Sequence, residues 1–160
     1  MAVLLVTTGC LVARKAECGY CENAMPKEYT NPDSLFQSLD AGFSQIVSAH
    51  AGKIIYISGQ TAWNAQRQIV GGTDLSQQAR QALRNVQTAV EAVGGTLADV
   101  VALRIYIVDY KPEQAGAIGG ALREFFPKER RPASTWIGVS SLAVAKFLIE
   151  IEATAVLESR

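Results

Sequence analysis

The sequence predicts an α+β domain in which one β-sheet carries both helices on a single face. Three observations predict it. Apolar segments follow the order strand, strand, helix, strand, helix, strand, strand. The two helical stretches have start and stop chemistry at both ends. The strand segments are short and rich in β-branched residues, with turn residues between them. At 160 residues, 49% of them hydrophobic and 19% charged, the chain suits one compact domain with a sizeable core.

In chain order, Asn31-Pro32-Asp33-Ser34 is turn chemistry, and residues 43–48 and 53–58 read as two short strands with a turn at Ala49-His50-Ala51-Gly52 between them. Ile54-Ile55-Tyr56-Ile57 is a continuous apolar run, which suits a strand covered on both faces. Gly71-Gly72 closes a second loop. A helix starts at Asp74, where Gln77 three residues later completes a capping-box pattern. Ala79, Ala82, Leu83, Val86, Ala89, Val90 and Val93 form its apolar stripe, and Gly94-Gly95 ends it. Residues 100–108, apolar except for Arg104, read as a central strand. Pro112 opens a second helix with Ala115, Ile118, Leu122 and Phe125 inward, and Pro127 stops it. Residues 135–139 and 146–156 follow as the last strands.

Lys plus Arg number 15 and Asp plus Glu number 15, so the chain lacks the basic field on which non-specific nucleic-acid binding draws. The three cysteines, Cys10, Cys18 and Cys21, all precede Met25, which is not the scattering of a disulfide-stapled domain. Cys18 and Cys21 have metal-ligand spacing, but three thiols and a distant His50 fall short of a structural zinc set, and no metal is expected. The apolar opening run is too short to span a bilayer, and Arg14 and Lys15 follow it, the wrong order for a secretory signal. Residues 1–25 are expected to be an extension ahead of a domain at 26–160, in a cytoplasmic protein with no membrane partner.

Several segments together resemble the RidA/YjgF family of reactive enamine/imine deaminases. They are Gly42-Phe43-Ser44-Gln45, Ile57-Ser58-Gly59-Gln60, Gln78-Ala79-Arg80 with Asn85-Val86, Tyr106-Ile107-Val108-Asp109, Phe125-Phe126, and Pro132-Ala133 through Ile149-Glu150-Ile151-Glu152-Ala153. The resemblance implies a chorismate mutase-like fold with a mixed sheet, a homotrimer with a ligand cleft at each subunit junction, and no cofactor. It also implies hydrolysis of enamines and imines to a 2-oxo acid and ammonia.

The chain departs from the family pattern at the site. In the family, Pro-Ala is followed by an arginine that forks onto the substrate carboxylate, and here Ser134 stands in its place. Arg131 cannot take over, because an offset of three residues along a strand points to the opposite face. Arg104 serves only if the central strand runs beside the cleft. Phe43 replaces a tyrosine, and Gly119 stands where an amide side chain is expected. The family acid aligns with Glu150, which would activate water and pass protons to the leaving nitrogen; the plain alternative is a solvated outer face shared with Glu152. Ser58 and Gln60 fall in the turn that the family uses as pocket wall, and Thr135 lies between Ser134 and Trp136. Trp63 and Trp136 either line the pocket or serve as core or interface packing.

The leading expectation is therefore a deaminase-type hydrolase of small metabolites with altered substrate scope. The alternative is a non-catalytic trimer that binds a metabolite or a protein partner in the same cleft. Nucleic-acid cleavage, attached by name to some relatives, has no support from charge or motif.

Overall fold

The computed structural model describes residues 27–50 and 52–158. The three cysteines and the expected extension lie outside these residues. Four strands form the main sheet: β3 (Gly52–Gln60), β4 (Val100–Val108), β5 (Ala133–Val139) and β6 (Ile149–Glu158). Their spatial order is β3-β6-β4-β5, with β4 and β5 parallel and the other pairs antiparallel. A small ribbon of β1 (Glu28–Thr30) and β2 (Ile46–Ser48) stands apart from it. The helices α1 (Leu75–Glu91) and α2 (Ala115–Phe125) pack on one face of the sheet, so the expected α+β architecture with a mixed sheet holds.

Asp74 caps α1 by accepting from the backbone amides of Ser76 and Gln77. The reciprocal arm differs from a full capping box: the Gln77 side chain donates to the Asp74 carboxylate, while the Asp74 amide is bonded to the Gly71 carbonyl. Gly94, at φ +85°, turns the chain away after α1, a conformation that a side chain disfavours. Ala82, Leu83, Val86 and Val90 of α1 and Ile118 and Leu122 of α2 are buried against Leu103, Ile105 and Ile107 of β4 and Ile149 and Ile151 of β6. Val93 lies past the end of the helix and is exposed.

Three strand boundaries depart most clearly from the sequence expectation, each with an identifiable cause. Residues 43–45 do not join a strand: only an isolated bridge from Ser44 to Ala133 touches the main sheet, and the ladder of β2 goes to β1. Residues 146–148 precede β6, because the buried Gln78 side chain takes their backbone groups, donating to the Lys146 carbonyl (2.9 Å) and accepting from the Leu148 amide (2.9 Å). Ser58 and Gly59 do not end β3. The strand runs on to Gln60 through a register shift between Ile57 and Gln60, the mark of a β-bulge.

A fourth difference is larger. Within the chain β3 is covered on one face only: Ile57 is buried beneath the helices, but Ile54 is 55% and Tyr56 is 81% exposed. The apolar run therefore marks a face that this chain leaves open.

Candidate functional site

The sheet register sorts the candidate residues into two groups. Side chains opposite one another in a ladder share a face. Glu150 pairs with Tyr106 and Glu152 with Arg104, so all four lie on the open face of the sheet, away from the helices. Thr135 is opposite Arg104 and belongs to the same face. Ser134 and Trp136 are opposite Leu103 and Ile105 and belong to the helix-bearing face. Ser134 and Thr135, adjacent in sequence, are therefore directed to opposite sides of β5.

Of the open-face residues, Glu150 lies where the end of β3 meets the start of β6, whereas Thr135 lies on β5 at the other edge of the sheet. The bulge in β3 carries Ser58, Gly59 and Gln60, and the Gln60 amide donates to the Ser58 carbonyl at 3.0 Å. Gly59 leaves room for this placement of Glu150: a Cβ built on it would overlap Oε1 of Glu150 and lie 2.6 Å from its Cδ. The Glu150 side chain thus lies directly across the Gly59 backbone. Trp63 stands in the loop that follows, packed edge-on to Phe147 with ring centroids 4.8 Å apart. That loop is held to α1 by Asn85, whose amide donates to the carbonyls of Thr61 (2.9 Å) and Trp63 (2.8 Å).

The second group lies at the β5 edge and around α2. The Trp136 indole N–H donates to Ser134 Oγ at 3.1 Å, and its ring meets Tyr110 edge-on at 6.4 Å. Gly119 is buried in α2 where the backbone before Phe43 crosses the helix; a Cβ on Gly119 would lie 3.0 Å from the Ala41 carbonyl. Phe43 packs edge-on against Phe36 at 5.9 Å, and Phe36 is 67% exposed. The neighbouring Ser44 hydroxyl is buried without a hydrogen-bond partner among the described residues. The two tryptophans thus belong to different groups.

Within one chain the groups do not meet. β3 and β5 are opposite edges of the sheet, with β6 and β4 between them. Ser58, Gln60, Trp63 and Glu150 occupy one side, and Phe43, Gly119, Ser134, Thr135 and Trp136 the other.

The arginines resolve clearly. Arg131 is buried and committed: Nη1 donates to the Leu39 carbonyl and Nε to the Phe126 carbonyl (3.4 Å). Arg104 is exposed on the open face, 3.6 Å from the Glu152 carboxylate. Beside this pair Tyr56, Ser58, Ala102 and Thr154 line a shallow depression of about 450 Å³. The Tyr106 hydroxyl, on the same face, is pushed to a higher pKa by desolvation first and then by the charge and hydrogen bond of Glu152. Sequence reasoning did not single out Tyr106 as a site residue; the register of β4 against β6 places it beside Glu150 and Glu152. Among the described residues no group of three or more His, Cys, Asp or Glu side chains could hold a metal ion.

A four-stranded mixed sheet with two helices on one face, and an acid lying across a glycine bulge at one edge, defines a YjgF-like α+β protein. Comparison with known proteins agrees. The sequence model of the family described as Endoribonuclease L-PSP matches residues 37–157. A 2-iminobutanoate/2-iminopropanoate deaminase from Dermatophagoides farinae is 32% identical over 116 residues, covering 72% of this chain and 86% of the relative. The Rid-family protein YyfB from Yersinia pestis, of unknown function, superposes with a TM-score of 0.79 at 41% identity, covering 83% of this chain and 100% of its own. The YjgF gene product of E. coli gives a TM-score of 0.58 at 30% identity, covering 71% and 87% of the two chains. The chain belongs to the RidA/YjgF family.

Proposed function

We propose that this protein hydrolyses reactive enamine or imine metabolites in a cleft built between copies of the chain, where the β3–β6 edge of one copy meets the β5–α2 edge of the next. The observation that carries the reading is the separation of the two groups to opposite sheet edges, which a cyclic assembly would bring face to face. The uncovered Ile54 and Tyr56 support the same assembly, because apolar side chains this exposed mark an interaction face. A homotrimer is the cyclic form the family resemblance implies.

Glu150 would hold the water. As water oxygen attacks the imine carbon, the carboxylate takes a proton and returns it to the nitrogen. Collapse of the resulting carbinolamine then releases ammonia and leaves a 2-oxo acid. Ser58 hydroxyl and backbone amides of the bulge would orient the polar end of the ligand. The Ser134–Trp136 pair presents a neutral, aromatic wall where the family pattern has a cation, which favours a substrate scope different from that of the archetype.

The test is release of pyruvate from 2-aminoacrylate generated in situ. Wild-type protein accelerates release over buffer, and Glu150→Gln lowers the rate by about 10²-fold or more. No acceleration by wild type at any loading rejects the archetypal substrate. The departures at Phe43, Gly119 and Ser134 favour a second reading, a binding trimer without turnover; a metabolite whose binding is abolished by Trp136→Ala and untouched by Glu150→Gln would select it.

A further inference from the structure

Ser134 leaves the proposed cleft with an acid at Glu150 and no cation on β5 to match it, yet α2 carries a guanidinium beside the segment that leads into Phe43. Arg123 lies in the last turn of α2, four residues after Gly119. A helical side chain leans towards the N-terminus, over the residue four before it, and Gly119 has nothing there to meet it. Arg123 Nη1 accordingly lies 3.1 Å from where a Gly119 Cβ would stand. The same nitrogen donates to the Asp40 carbonyl at 2.9 Å, which fixes the guanidinium beside the segment leading into Phe43.

The rest of the group is uncommitted. Among the described residues, the bond to Asp40 is the one hydrogen bond that Arg123 makes, and no carboxylate lies within 4.0 Å of it. The adjacent Glu124 is held by Arg80 at 2.6 Å. Neither of the other arginines discussed above is free for this edge: Arg131 is spent on two backbone carbonyls, and Arg104 lies on the opposite sheet face beside Glu152.

We infer that Arg123 binds the anionic group of the ligand in the proposed cleft, using the space that Gly119 vacates and standing in for the arginine missing at Ser134. The inference rests on the reading of that cleft as a deaminase-type site. Its ligand class is a small carboxylate, gripped by the two guanidinium nitrogens that the tether to Asp40 leaves free. Because that tether already orders the side chain, little further conformational freedom is lost when a ligand arrives.

Titration calorimetry with 2-oxobutanoate and its uncharged amide tests the assignment, with 2-aminoacrylate turnover measured in parallel. Wild type is expected to prefer the carboxylate, and Arg123→Gln to weaken it by about tenfold or more while leaving the amide unchanged. Arg123→Lys, which keeps the charge without the fork, falls between. In turnover, Arg123→Gln raises KM. Equal affinity of wild type and Arg123→Gln for 2-oxobutanoate, or equal affinity of wild type for acid and amide, overturns the assignment. A merely structural tether would lower the melting temperature of Arg123→Gln without altering the preference for acid over amide, and that result also overturns it. Wild-type turnover with a KM indifferent to Arg123 leaves the deaminase reading standing and removes only this residue, whereas absence of wild-type turnover removes the reading itself.

Discussion

Gly59 and Glu150 form the tightest constraint in the candidate site. The carboxylate side chain occupies the volume that any Cβ at residue 59 would need, so Gly59→Ala must drive Glu150 to another rotamer. The displaced atoms belong to a side chain and not to backbone, so the fold survives. We expect Gly59→Ala to keep its melting temperature within a few degrees of wild type and to lose deaminase turnover as fully as Glu150→Gln; turnover near the wild-type level would show that the placement of Glu150 does not matter. The residue types were legible in the sequence, where Ser58-Gly59-Gln60 and Glu150 stand in family motifs. Their contact was not, because it depends on a β-bulge that shifts the register between Ile57 and Gln60, and a one-residue shift leaves no mark in composition. Arg123 escaped for a different reason: an arginine in the last turn of a helix has an ordinary role there, and only the glycine beneath it makes this one unusual.

Among the elements, helices are more legible in the sequence than strands. Asp74 and Gly94 bracket α1 where cap chemistry places them, because caps are local. The apolar pattern puts the start of β6 too early because a residue 68 positions before Lys146 in the chain sets it. Gln78, fully buried, bonds the carbonyls of Gly72 (2.6 Å) and Lys146 (2.9 Å) and the amide of Leu148 (2.9 Å). Gln78→Leu would orphan three backbone groups, and we expect urea denaturation to show a loss of about 2–5 kcal/mol. A loss below about 1 kcal/mol would mean that water replaces the amide.

The sequence shows only the β2 half of the ribbon β1–β2, since three-residue strands carry too little pattern, and a clamp holds the ribbon in place. Lys27 reaches Asp99 at 3.1 Å and Glu158 at 3.6 Å. Burial acts to raise the Asp99 pKa, but Lys27 and the Thr96 hydrogen bonds outweigh it and hold the carboxyl below its ordinary value of 3.8. A carboxyl whose folded-state pKa is depressed contributes stability above its unfolded-state value, and that contribution fades as pH falls through the folded value. The melting-temperature gap between wild type and Asp99→Asn should thus be open at neutral pH and close below about pH 3.8. A gap that is the same at neutral and acid pH would contradict the clamp.

At the scale of the molecule, the apolar run on β3 predicted two covered faces, and the chain covers one. Ile54 and Tyr56 on the bare face are what a partner copy would bury. If the chain forms the proposed trimer, Tyr56→Glu should lower the mass in sedimentation equilibrium to that of a monomer, and an unchanged mass would place the contact elsewhere. The architecture itself was legible because hydrophobic period and element order suffice to define it. The site was legible only in part, since its two groups lie on opposite edges of the sheet and no single-chain pattern joins them. The most direct measurement of that composite cleft is complementation. Glu150→Gln and Trp136→Ala, each impaired alone, are denatured together in equal amounts, refolded and assayed for 2-aminoacrylate turnover. Random assortment leaves about a quarter of the clefts with both edges intact, so the mixture should recover about a quarter of wild-type activity; activity no greater than the average of the two variants refolded separately would contradict a cleft shared between copies.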